Sequence, residues 1–466
     1  GTLLNTGTIR STVGARVGAR TLRGNVDNQG TIAAVNRDLD YSGSGTLTAD
    51  ASGVFSVGDG VSIDLNSGTT TVLGSGTTFT STGTGRIDVL GNLTIASDFT
   101  LPSTGPAMDL SFDNVTTVSG PGTFINADTV YTDRDVFDAP FTNQAVVRSL
   151  EANQGTVYNG AWTNEANGSF VVEVINTSLV TLTSTSVTNA GTLTITGGSA
   201  VNTYASELNV TSGTLLNTGT IRSTVGARVG ARTLRGNVDN QGTIAAVNRD
   251  LDYSGSGTLT ADASGVFSVG DGVSIDLNSG TTTVLGSGTT FTSTGTGRID
   301  VLGNLTIASD FTLPSTGPAM DLSFDNVTTV SGPGTFINAD TVYTDRDVFD
   351  APFTNQAVVR SLEANQGTVY NGAWTNEANG SFVVEVVNTS LVTLTSTSVT
   401  NAGTLTITGG STVNTYASEL NVTTGTLLNT GTIRSTVGAR VGARTLRGNV
   451  DNQGTIAAVN RDLDYS

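Results

Sequence analysis

Apolar and polar residues alternate over short runs along the whole chain. Val57, Val61, Ile63 and Leu65 form one such run, Ile87 and Val89 another, and Leu193 and Ile195 a third. Alternation with period two predicts strands that bury one face. The runs are separated by turn clusters such as Gly43-Ser44-Gly45, Gly74-Ser75-Gly76 and Gly197-Gly198-Ser199. No stretch keeps apolar residues at helical spacing over three turns. The segment from Val13 to Arg20 repeats every four residues, but its two glycines weaken a helix by about 1 kcal/mol each, and it reads as strand or loop.

A longer pattern lies over the alternation. Val187-Thr188-Asn189-Ala190-Gly191-Thr192-Leu193 has close variants ending at Ile9 and Ile32, and a looser one ending at Val147. The last apolar residues fall 23 apart at Ile9, Ile32 and Phe55, with Phe79 one residue late; the step returns at Phe124, Val147, Phe170 and Leu193. The gap from Phe79 to Phe124 has room for two turns, with Phe99 or Leu101 as the missing member. Leu193 to Ile221 is one turn with five extra residues. An apolar column at this period predicts an all-β fold, a single-stranded right-handed parallel β-helix (β-solenoid) of about 23 residues per coil.

Fixed-period similarity also appears on a larger scale, and it decides architecture. Gly1-Thr2-Leu3-Leu4-Asn5 returns at Gly213 and at Gly425, a period of 212 residues. The copies differ at Ile175 against Val387, Ala200 against Thr412, and Ser212 against Thr424. Residues 1–212 therefore form one unit and 213–424 a near-identical second, while 425–466 start a third. At this period nine coils fill a unit. The chain begins and stops inside a repeat, which reads as a window of a longer protein with capping coils outside it.

Composition narrows the chemistry. The chain has 58 Gly and 8 Pro, no Cys and no His, and all 21 basic residues are Arg. A net charge of −18 disfavours nucleic acid, whose binding needs basic patches. Missing cysteine excludes disulfides and thiolate metal sites. No apolar run reaches the roughly 20 residues of a membrane span.

Several residues are candidates for sites. Asn5, Asn28, Asn143 and Asn189 share one register of the motif and predict a ladder of stacked amides, a device that stabilises flat stacked sheets. Asp133, Asp135 and Asp138 are candidate calcium ligands, since Ca²⁺ takes several oxygens; Arg134 stands among them and no glycine follows. Arg10, Arg16, Arg20 and Arg23 form a basic cluster in an acidic chain, recurring at Arg222, Arg228, Arg232 and Arg235. Such a cluster suits contact with the acidic face of a neighbouring fibre, or plain local charge balance. An ice-binding face would need two threonine columns, and only one, interrupted by Val54, Val146 and Ser169, is present.

The motif Asn-x-Gly-Thr-Ile, at Asn5–Ile9 and Asn28–Ile32, resembles the coil motif of filamentous-haemagglutinin-type and autotransporter adhesins. That resemblance covers most of each 212-residue unit as coil pattern and implies a right-handed parallel β-helix on a bacterial surface. This chain departs from the pattern in the near identity of its units and in showing no translocation domain. The expected role is a structural extracellular or cell-surface fibre, acting as stalk, matrix scaffold or attachment filament. Its expected partners are further copies of itself, and surface glycans. An adhesin that binds carbohydrate or a receptor would expose aromatic residues on one face, with Tyr131, Tyr158 and Trp162 as candidates. A polysaccharide-active enzyme would need a base and a carboxylate–metal cluster in one groove; no His or Lys is present to serve. Tandem immunoglobulin-like sandwiches would instead set a core period near 90–100 residues.

Overall fold

The computed structural model describes residues 1–18, 20–105, 107–110, 116–149, 155–173, 179–197, 203–227, 229–322, 328–361, 367–385, 391–409, 415–439 and 441–466. All regular elements among them are β-strands. They wind into a parallel β-solenoid of about 23 residues per turn. Among the described residues no helix is long and apolar enough to cross a membrane. Compact units comprise Gly1–Asn237 and Val238–Ser466, and each is described in turn.

In the first unit the described coils have three sides, and each side stacks on the same side of the next coil. Side one runs Ile9, Ile32, Phe55, Phe79. The Phe79 ring then meets Phe99 edge-on at 5.2 Å, and the register continues through Phe124, Phe141, Trp162 and Val187 to Leu215. Side two runs from Leu39 through Ile63, Ile87, Met108, Val130, Val147, Phe170 and Leu193 to Ile221. Side three holds Val26, Leu47, Thr71, Leu93, Val118, Phe137, Tyr158, Leu182 and Val210.

The apolar column expected from the sequence is thus two columns. Phe124 stands on side one, whereas Val147, Phe170, Leu193 and Ile221 stand on side two. The coils here are short: Phe124 and Phe141 are direct neighbours only 17 residues apart. A step of 23 from Phe124 therefore overshoots one coil by one side. Phe99, not Leu101, takes the missing place.

The same count corrects the number of coils. Ser206–Asn217 is the twenty-eighth strand among the described residues and covers two sides, its second half repeating Thr2–Asn5 one period later. Twenty-eight sides make nine turns and a third, not nine. Each 212-residue repeat consequently advances the sequence by one side: Ile9 lies on side one and its copy Ile221 on side two. A 212-residue period over nine and a third turns also restores the observed step near 23.

The interior is lined by buried apolar side chains. Phe55, Phe99, Val147, Phe170, Leu193 and Ile221 are 0 % exposed, and burying each such side chain contributes about 1.5–3 kcal/mol. Phe55, Phe79, Phe99 and Phe124 meet edge to face at 5.0–5.5 Å, a geometry that adds about 0.5–1.5 kcal/mol per pair.

Glycine in the Asn-x-Gly motif is set by the coil beneath. A Cβ at Gly191 would collide with the backbone carbonyl oxygens of Glu165 and Gly168. Replacing Gly191 and Gly403 by Ala should destabilise each affected coil by about 1–3 kcal/mol through forced backbone shifts, measured by urea unfolding; an unchanged midpoint would contradict the packing.

The second unit repeats the arrangement. One side runs Ile275, Ile299, Met320, Val342, Val359, Phe382, Leu405 and Ile433. Another carries Phe267 and Phe291, the ring of Phe311 against Phe291, and then Phe336, Phe353, Trp374, Val399 and Leu427.

Candidate functional site

Asparagine amides form ladders inside the corners of the coils. On side one Asn126, Asn143, Asn164, Asn189 and Asn217 each pass a hydrogen bond to the next, Nδ2 donating to Oδ1 at 2.7–2.8 Å. Asn5 donates to Asn28 in the same way at 2.7 Å, but these two stand on side three. The four asparagines that share one register in the sequence therefore belong to two ladders, divided by the one-side advance. Remaining amide hydrogens reach backbone carbonyls, such as that of Gly168 from Asn164. With every member from Asn126 to Asn217 fully buried, the ladder holds the turn and offers no group to solvent.

The three aspartates picked out as calcium ligands do not converge. Asp135 is 0 % exposed and its Oδ2 accepts from the Asp133 backbone N–H at 2.8 Å. Its charge, with burial the larger cause, pushes the Tyr158 hydroxyl well above the usual phenol range. Arg134 turns the chain at φ 58° and lies 3.7 Å from Asp133. Asp138 is exposed and accepts from Asn159 Nδ2 on the next coil at 2.8 Å. Among the described residues no group of three or more His, Cys, Asp or Glu is placed to hold a metal ion.

The arginine cluster splits into different jobs. Arg10, Arg16 and Arg23 are exposed, and Arg20 is half-buried. One period on, Arg222 is exposed with Nε donating to the Thr194 hydroxyl at 3.0 Å, while Arg235 pairs with Glu207 at 2.9 Å. Arg228 lies outside the described residues. Arg232 is 0 % exposed; its guanidinium donates to the carbonyls of Thr224, Gly230 and Ala231. It is a staple for the loop between Thr224 and Arg232, and Arg444 does the same for Thr436, Gly442 and Ala443. The loop carries Val225 and Val229 outward, 58 % and 61 % exposed. Substituting Met for Arg232 and Arg444 leaves these carbonyls without their donor. Proteolysis within the loop should then quicken while far-UV circular dichroism stays unchanged; equal cleavage rates would remove the staple role.

Two aromatic candidates for an adhesive face are in the core. Tyr158 and Trp162 are 0 % exposed and pack against Phe170 at 5.8 and 5.2 Å. Only Tyr131 of the three reaches the surface, half-buried.

A feature that was not singled out in the sequence is a row of carboxylates on side two. Asp40, Asp64, Asp88 and Asp109 stack on four successive coils in unbroken register. Asp252, Asp276, Asp300 and Asp321 do so in the second unit. Its signal was legible, an Asp between two apolar residues at Leu39-Asp40-Tyr41, Ile63-Asp64-Leu65, Ile87-Asp88-Val89 and Met108-Asp109-Leu110. Like charges opposite one another on neighbouring strands are destabilising. Within the row Arg86 pairs with Asp88 at 2.9 Å. Burial, offset in part by Arg86 and reinforced by Asp64 and Asp109, lifts the Asp88 carboxyl to about 6. Asp40 also rises to about 6, through burial and then Asp64. In the second unit an open depression of about 230 Å³ is lined by Asp276, Arg298, Asp300, Val301, Leu302 and Asp321.

Fold and repeat together define a tandem-repeat parallel β-solenoid. No protein-family model matches the chain, and no curated protein matches it either.

Proposed function

We propose that the chain is part of a structural fibre at the cell surface or outside the cell, built from tandem solenoid repeats that act as stalk or scaffold. The observation that supports this reading best is that near-identical 212-residue repeats are spent on coils of one kind, each filled by its own apolar side chains. Adding a repeat adds coils and no new chemistry, as in other quasi-one-dimensional arrays. The resemblance of the Asn-x-Gly-Thr-Ile motif to surface β-helices supports the location. An adhesin that grips sugars through Tyr158 and Trp162 has less support, since both side chains are enclosed.

Length is the test. Chains of one, two and four repeats, imaged by electron microscopy, should lengthen by roughly 45 Å per repeat, from nine and a third coils at about 4.8 Å each. Particles whose long dimension stays constant as repeats are added would overturn the fibre. Surface labelling of the source cells with an antibody to the repeat tests the location, and a signal only after lysis would refute it.

A further inference from the structure

The carboxylate row does not end its side of the solenoid. The same outward register continues without a break from Asp109 through Tyr131, Arg148, Val171 and Thr194 to Arg222. The outward register of the first unit therefore carries four aspartates at one end, Asp88 paired with Arg86, and the exposed Arg222 at the other, with exposed Val225 and Val229 following it in the chain. In the second unit the register from Asp321 runs through Tyr343, Arg360, Val383 and Thr406 to Arg434. Seven coil steps separate Asp64 from Arg222, roughly 34 Å at about 4.8 Å per step.

We infer that this face pairs with the same face of a second copy running in the opposite direction, Arg222 of each copy lying over the Asp64–Asp88 end of the other. A two-fold arrangement makes both contacts at once, because an isologous interface brings residue i to j and j to i. A parallel pairing in register would set carboxylates against carboxylates at one end and Arg222 against Arg222 at the other. A second copy is also the partner whose charges must recur at this chain's own spacing. The row's cost to the isolated fold is compensated when arginines of a neighbour enter it: Asp276 and Asp321, beside the Arg298–Asp300 pair, gain a cation there. Tyr131 and Arg148 fall beside the two-fold axis; the Arg148 guanidinium, half-exposed while its Nε holds Glu173 of its own chain at 2.5 Å, presents its outer face to the Tyr131 ring of the other copy. This pairing rests on the fibre reading above and would join such fibres side by side.

Sedimentation velocity of the whole chain at about pH 8 tests it. The expected result is reversible dimerisation whose dissociation constant rises roughly tenfold or more between about 50 and about 500 mM salt. Arg222→Glu with Arg434→Glu should abolish association with unchanged circular dichroism, and adding Asp88→Arg with Asp300→Arg should restore it. Because the chain has no cysteine, Tyr131→Cys gives one thiol per chain beside the axis, and a bismaleimide should link two copies through it. A monomer at every concentration in low salt overturns the pairing, as does association that the charge reversals leave intact. A dimer that the Tyr131→Cys thiols cannot link overturns the antiparallel register. Repeat-dependent length is measured on single particles, so failure of the pairing leaves that result standing and is distinguishable from failure of the fibre.

Discussion

Replacing Asn164 by Ala, with Asn376 changed likewise in the second unit, should cost about 2–4 kcal/mol per site. Asn164 accepts from Asn143 Nδ2 and donates to Asn189 Oδ1, both at 2.7 Å, and all three side chains are fully buried. Truncation removes both bonds and strands a donor below and an acceptor above. Each buried group left unsatisfied costs about 1–3 kcal/mol. Ala also opens a cavity at the buried end of the strand Trp162–Asn164. Since a solenoid's stability is nearly a sum of coil and interface terms, the loss should be local. Hydrogen exchange of the coils around Asn164 should speed up by roughly one and a half to three powers of ten at about 1.4 kcal/mol per factor of ten, with coils near Ile32 unaffected. Uniform exchange across the chain, or no change, would show that the ladder does not carry this load. Leu or Met at the same position cannot rescue it, because the neighbours' amides stay unpaired.

How much of this was legible in the sequence follows from which forces are local. The coil period and the inward Ile, Phe and Leu side chains were visible because apolar alternation and turn glycines are written residue by residue. The phase was not. Coils of 17 residues, as between Phe124 and Phe141, shift the pattern by one side while preserving a step of 23, so two columns look like one. Side membership also decides which asparagines touch, and it separated Asn5 and Asn28 from Asn143 and Asn189. Likewise, Trp162 and Tyr158 carry polar atoms and flank turn residues, yet they fill the interior where short coils bring successive aromatic rings within reach. The arginine cluster was read as one basic patch; Arg232 instead turns inward, where three carbonyls of its loop gather around its guanidinium. The carboxylate row needed register, which only stacking supplies.

That row makes stability fall as pH rises through neutrality, the reverse of ordinary acid unfolding. In the folded chain burial and neighbouring carboxylates hold Asp40 and Asp88 up at about 6, and Asp252 and Asp300 at about 7. Asp109 and Asp321 are raised too, through burial, against the pull of Arg86 and Arg298. An unfolded Asp titrates near 3.9. Between about pH 4 and 7 the folded state therefore binds protons that the unfolded state releases, and stability declines with pH over that range. The stabilisation is complete below the unfolded value and is lost as pH passes about 6–7. After discounting for solvent screening, each carboxylate contributes on the order of 1 kcal/mol, so the rows together give several kcal/mol between pH 8 and pH 5. An opposing limb lies lower. Asp59 and Asp271 are held below the usual range by the backbone and hydroxyl of Thr84 and Thr296, and protonating them below about pH 4 removes stability again. Urea midpoints should accordingly peak near pH 4. Asp88→Asn with Asp300→Asn should raise the midpoint at pH 8 and flatten the slope between pH 5 and 8, because a neutral amide relieves the row at every pH. A midpoint that climbs from pH 5 to 8, or a slope the double substitution leaves unchanged, would mean that water reaches the stacked carboxylates well enough to keep them ionised without cost.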